Sequence, residues 1–90
     1  MGSSRARVTV SGHVHGVGFR YAVLARARSL QVGGWVRNRE DGTVEAVFEG
    51  DEERVESMVD WCRRGPGGAV VEDVSVEWED PVGEAEFDVR

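Results

Sequence analysis

The ninety-residue chain has no lysine, so all eleven of its basic side chains are arginines. Without lysine there can be no Walker-type phosphate loop, whose Gly-Lys-Ser/Thr core needs the ammonium group. Cysteine occurs once, at Cys62, which excludes an intramolecular disulfide and a thiolate zinc set. A lone cysteine at helical spacing reads as core filler rather than nucleophile, and a chain needing no disulfide fits a reducing, cytoplasmic compartment. No apolar run approaches the roughly 20 residues of a membrane helix. The opening Met1-Gly2-Ser3-Ser4 has no apolar core of the kind that marks a signal peptide, so residues 1–4 are expected to be a short frayed end. Arginine in place of lysine, with abundant Ala, Gly and Val, most simply reflects a GC-rich genome; thermal or salt adaptation is a second reading.

This length corresponds to one domain, residues 1–90, burying roughly 60–65% of its unfolded surface around a single core. The net charge of −6 hides a split. Residues 1–39 hold seven arginines (Arg5, Arg7, Arg20, Arg26, Arg28, Arg37 and Arg39) and no acid, while residues 40–90 set four arginines against all seventeen acids. A basic first half can host an anion where a uniformly acidic coat would repel it, unless folding simply intermixes the halves.

Val8 and Val10 alternate with polar neighbours, which predicts a strand. Phe19, Val23, Ala27 and Leu30 fall at helical spacing, with Gly33 and Gly34 placed to end that helix. Asp41-Gly42 divides two β-prone runs, Trp35 to Arg39 and Thr43 to Phe48, and so predicts a hairpin. Gly50-Asp51 offers an N-cap, Glu52 and Glu53 complement the helix dipole, and Val55, Met58, Val59 and Cys62 form the stripe of a second helix. Arg63-Arg64-Gly65-Pro66 closes it. Val74, Val76 and Trp78 alternate as a strand with one buried face, and Phe87 and Val89 add a short terminal strand. The order βαββαβ reads as an α+β, ferredoxin-like split βαβ sandwich: an antiparallel sheet with two helices on one face and a short fifth strand. Trp61 and Trp78 are expected in its core.

Function must come from a site, because this fold hosts many activities. The candidate is residues 11–22, "SGHVHGVGFRYA", between the first strand and the first helix. A dinucleotide fingerprint does not fit: Gly16-Val17-Gly18 is followed three residues on by Tyr21, and the chain is too short for a doubly wound sheet. His13 and His15 have no cysteine pair or second histidine cluster to complete a metal shell, so no metal and no cofactor are expected. An anion cradle fits better. A loop entering a helix aims successive N–H groups at one spot, Gly12, Gly16 and Gly18 permit the required backbone, and Arg20 can reach back with a planar charged fork. The same residues also fit a plain glycine-rich turn with a surface arginine.

The sequence resembles the acylphosphatases. Their loop pattern, Gly-x-Val-Gln-Gly-Val-x-Phe/Tyr-Arg, is matched by Gly12-His13-Val14-His15-Gly16-Val17-Gly18-Phe19-Arg20, with His15 standing for Gln. A second pattern, Gly-x-Val-x-Asn-x-x-Asp/Asn-Gly-x-Val, is matched throughout by residues Gly34 to Val44. The resemblance implies the fold read above and hydrolysis of acyl phosphates, with inorganic phosphate as a competing ligand. It implies phosphate binding by Arg20 and by the backbone of His15, Gly16, Val17, Gly18, Phe19 and Arg20, and an attacking water held by Asn38. Asn38 also sits where asparagine is common for turn reasons, but alternation with Val36 turns it toward the inner edge of the sheet, where a polar residue wants a partner. If the His15 side chain supports the loop, activity is expected to depend on pH near its ordinary value of about 6.5.

Three classes compete. A metal-free hydrolase ranks first. A phosphate- or carbamoyl-phosphate-binding module of the same fold ranks second, since acylphosphatase-like segments occur inside long maturation factors. An RNA-binding βαββαβ domain ranks last, because the first strand lacks aromatics and the third lacks a basic-glycine-aromatic opening. The expected partner is a small acyl phosphate, with no nucleic acid, no membrane and no second copy of the chain.

Overall fold

Ala6, Val8 and Val10 leave one face of strand β1 (Ser3–His13) and are fully buried, while Arg5, Arg7 and Thr9 leave the other. This period of two decides which sheet face receives the helices. The computed structural model describes residues 2–90. After β1 come α1 (Phe19–Ser29), β2 (Gly33–Asn38), β3 (Val44–Asp51), α2 (Glu52–Cys62), β4 (Val70–Glu79) and β5 (Phe87–Val89).

The sheet order is β4-β1-β3-β2-β5. β1 pairs antiparallel with both β3 and β4, and β2 pairs antiparallel with β3. The expected fifth strand is present, but it runs parallel to β2, so the sheet is mixed rather than wholly antiparallel. The physical cause is the connection: residues 80–86 carry the chain from one edge of the sheet to the other, and it arrives at β2 from the same end at which β2 began.

Both helices pack on the Ala6–Val8–Val10 face. α1 contributes Phe19, Val23 and Ala27; α2 contributes Val55, Met58, Val59 and Cys62, matching the sequence stripes. Each fully buried valine or larger side chain contributes about 1.5–3 kcal/mol of transfer free energy. Phe19 meets Trp61 edge to face, at 5.7 Å between ring centroids and 60° between planes, which ties the start of α1 to α2. α2 begins as expected, with the Asp51 carboxylate accepting from the Glu53 N–H at 3.0 Å.

Three further sequence expectations change. Ser3 and Ser4, read as part of a frayed end, pair with Asp51 and Gly50, and Gly2 precedes them outside any strand; Met1 lies outside the described residues. Gly33 and Gly34 do not cap α1. They open β2, and a side chain on Gly33 would strike the Glu84 carbonyl. The left-handed turn after the helix falls instead on Gln31, at φ 58°. Trp78 is 54% exposed, because β4 is an edge strand and α2 packs mainly over β1 and β3 rather than over it.

Candidate active site

The loop joining β1 to α1 bends at Gly16 (φ 71°) and Gly18 (φ 75°), with open space where side chains would stand. Such left-handed positions beside right-handed neighbours turn consecutive N–H groups inward. Gly18 is the N-cap of α1 and supplies no side-chain cap, and the first turn contains no acid. Among the described residues, none of the backbone N–H groups of His15, Gly16, Val17, Gly18, Phe19 and Arg20 donates to a protein acceptor. The positive end of the helix dipole and these unpaired donors therefore fall together at the loop. Gly12 serves another purpose. It lies in β1 at a register shift against β4, where a Cβ would strike the Val70 carbonyl oxygen.

The side chains of the loop mostly point elsewhere. Phe19 is core, Val17 is half-buried beside Gly68, and His13 is exposed. Arg20 is half-buried, and its Nη1 donates to the Arg90 backbone oxygen at 3.2 Å. It pairs with no Asp or Glu side chain among the described residues, whereas Arg5, Arg7 and Arg37 are all engaged by glutamates. Folding thus neutralises much of the basic half of the chain but leaves the arginine beside the loop without an Asp or Glu partner among the described residues.

Asn38 ends β2 opposite Val44, which also pairs with Val10 of β1. The ends of β1 and β2 and the start of β3 therefore lie at the same end of the sheet, which brings Asn38 to the loop. It is half-buried, and its side-chain amide makes no hydrogen bond to protein among the described residues. The turn after it is firmly built. Arg39 N–H donates to the Thr43 carbonyl at 2.9 Å, and the Asp41 carboxylate accepts from the Thr43 N–H (3.0 Å) and hydroxyl (2.6 Å). Those bonds, with Arg39 nearby, hold the Asp41 carboxyl below its ordinary value.

His15 reaches across to this turn, with Nε2 2.8 Å from the Thr43 carbonyl oxygen. Sequence reasoning marked His15 as the one departure from the loop pattern, but not its partner, since a backbone acceptor leaves no trace in residue type. Trp35 also lies off the site. It is buried on the helix-free face under the guanidinium groups of Arg7, Arg37 and Arg90, at 5.6, 5.7 and 4.7 Å from its ring centroid. Among the described residues no group of three His, Cys, Asp or Glu side chains is gathered to hold a metal. Cys62 is buried under α2, and burial pushes its thiol up to about 12, far from a reactive thiolate.

The class defined by these elements is a two-layer α+β domain with a glycine-bent loop of free N–H groups beside an asparagine-ended strand. A family model described as acylphosphatase matches residues 6–89. The chain is 56% identical over 86 residues to an acylphosphatase of Nostoc sp., covering 96% of this chain and 85% of that one. Its structure is similar to the crystal structure of acylphosphatase from Bacillus subtilis, with a TM-score of 0.92, 38% identity and coverage of 97% and 98% of the two chains. It is also similar to a segment of T. kodakarensis HypF, with a TM-score of 0.83 and 27% identity, covering 97% of this chain and 12% of that one. The chain belongs to the acylphosphatase family, hydrolases acting on acid anhydrides.

Proposed function

We propose that this chain hydrolyses acyl phosphates to a carboxylate and inorganic phosphate without a metal ion, with Arg20 and the N–H groups of His15 to Arg20 holding the phosphoryl group and Asn38 holding the attacking water. The observation that carries this reading is the set of free backbone N–H groups on the loop, bent by two left-handed glycines at a helix start that has neither a cap nor an acid. Such a set of donors at a helix start suits an oxyanion, which supports the reading.

The chemistry asks little more. Phosphoryl transfer depends mainly on positioning and on neutralising charge over the equatorial oxygens, which N–H donors and a guanidinium supply. Water attacks phosphorus, the bond from phosphorus to the acyl oxygen breaks, and the carboxylate leaves with the electron pair. A carboxylate is stable at neutral pH, so no strong general acid is required. Asn38, a neutral amide, cannot act as a strong base. It orients the water, whose proton passes to a phosphate oxygen of the substrate. The side-chain amide of Asn38, without a protein partner among the described residues, and Arg20, without an Asp or Glu partner there, support these roles. A single inert thiol supports a place in the reducing cytoplasm.

Benzoyl phosphate hydrolysis in the presence of chelator tests this reading. Arg20→Ala should abolish measurable turnover and weaken inhibition by inorganic phosphate. Asn38→Ala should lower turnover by at least about 10²-fold while leaving phosphate inhibition largely intact. Unchanged turnover in both variants refutes the assignment. Tight phosphate binding by a wild-type protein with no turnover points instead to a phosphate- or carbamoyl-phosphate-binding module, the reading favoured by the likeness to a segment of a much longer chain.

A further inference from the structure

The Thr43 carbonyl oxygen accepts two hydrogen bonds from opposite sides of the site. One comes from Nε2 of His15 in the loop, at 2.8 Å, and the other from the backbone N–H of Arg39, at 2.9 Å. A carbonyl has two lone pairs and no proton to give, so both partners must donate. Arg39 is covalently next to Asn38, and the Asp41 carboxylate holds Thr43 in place through two further bonds, at 3.0 and 2.6 Å. The loop and the Asn38 end of β2 therefore meet at one rigidly held atom.

The geometry points to His15 as a positioning residue that couples the phosphate loop to Asn38 through the Thr43 carbonyl. The inference rests on the preceding reading of the loop as phosphate site and of Asn38 as holder of the water. In-line attack depends on the distance between those two parts, and an error of about 1 Å there costs rate without costing phosphate affinity. Because the acceptor is a carbonyl, the neutral ring must carry its proton on Nε2, and the imidazolium donates equally well. Either charge state of the ring can make this bond, so the pH dependence expected from a supporting histidine does not follow from it. Glutamine ends in an amide donor at comparable reach and can make the same bond. Leucine has similar bulk and no donor.

Three measurements on the intact chain test the coupling. In wild-type protein, long-range ¹⁵N spectra should show the neutral His15 ring protonated on Nε2; a ring protonated on Nδ1 overturns the proposal. In a titration with inorganic phosphate, the amides of Gly16 and Gly18 should shift together with the Arg39 amide and the Asn38 side-chain amide. In His15→Leu the loop amides should still shift, but those of Asn38 and Arg39 should respond at least about threefold less, and His15→Gln should restore them. Full responses at Asn38 and Arg39 in His15→Leu overturn the coupling alone, whereas loop amides that ignore phosphate in wild type overturn the phosphate-site reading as well. In kinetics, His15→Leu should lower kcat about three- to tenfold, the range of one hydrogen bond, with phosphate inhibition changed less than about twofold. The same change in an Asn38→Ala background should cost almost nothing further, and equal losses in both backgrounds overturn the proposal.

Discussion

Glu49 is only 4% exposed on the helix-free face of the sheet, yet it stays charged. Its carboxylate accepts from Arg5 Nη1 at 3.0 Å and from the N–H groups of Val82, Gly83 and Glu84 at 3.1, 2.7 and 3.0 Å. Burial alone pushes the carboxyl up, but the Val82 N–H and the Arg5 guanidinium more than offset it and hold it below its ordinary value. These bonds pin residues 80–86, the segment that delivers β5 to β2. Glu49→Ala should therefore destabilise the protein by about 1–3 kcal/mol, because it leaves three N–H groups without their acceptor while Arg5 keeps Glu79 and Glu84; urea unfolding measures this, and a loss below about 0.5 kcal/mol would refute the role. None of this was legible from the identity of a glutamate in an alternating strand. Trp78 shows the same limit in reverse: alternation placed it on the inner face, but only the sheet order shows that face running out of cover.

The two helices start in opposite ways. α2 has the Asp51 cap and two glutamates in its first turn, whereas α1 has neither cap nor acid, and α1 is the helix that opens onto the loop. Asp51→Ala should cost about 1 kcal/mol of stability and leave turnover unchanged, as thermal unfolding and a benzoyl phosphate assay would show. An acid introduced at the start of α1 should do the reverse. Tyr21 is 65% exposed, so Tyr21→Glu should be tolerated in stability while weakening phosphate inhibition about two- to fivefold by placing negative charge beside the cradle. Both helices, their faces and the end of α2 were readable from spacing, because each buries one stripe. The end of α1 was misread, because glycines that permit close strand approach look in sequence like glycines that end helices.

Across the molecule, the basic and acidic halves of the chain meet on one sheet face. Arg5 bridges Glu49, Glu79 and Glu84, Arg7 bridges Glu45 and Glu79, and Arg37 bridges Glu45. Burial raises Glu45 and Glu49, but hydrogen bonds from the arginines, and for Glu49 also from backbone N–H groups, outweigh it; Glu79 is lowered chiefly by Arg7 and then Arg5. All three carboxyls thus have folded values below their unfolded ones. Their contribution is complete above the unfolded value of about 4.3 and is lost as pH falls below it through the folded values. Unfolding followed between pH 7 and pH 2 should show stability declining below about pH 4.5, with Glu45→Gln flattening the decline; a profile level to pH 2 would contradict the network.

The sequence by itself determined the element order, the two helix stripes, the Asp41-Gly42 hairpin and the residues of the loop, because periodicity and turn chemistry are local properties that each segment carries alone. The tertiary structure decided the rest. The direction of β5, the exposure of Trp78, the pinning of residues 80–86 by Glu49 and the meeting of His15 with Arg39 at the Thr43 carbonyl all depend on which segments become neighbours. Backbone acceptors and sheet edges carry no residue-type signature, so the partner of His15 became visible only when the ends of β1 and β2 came together across β3.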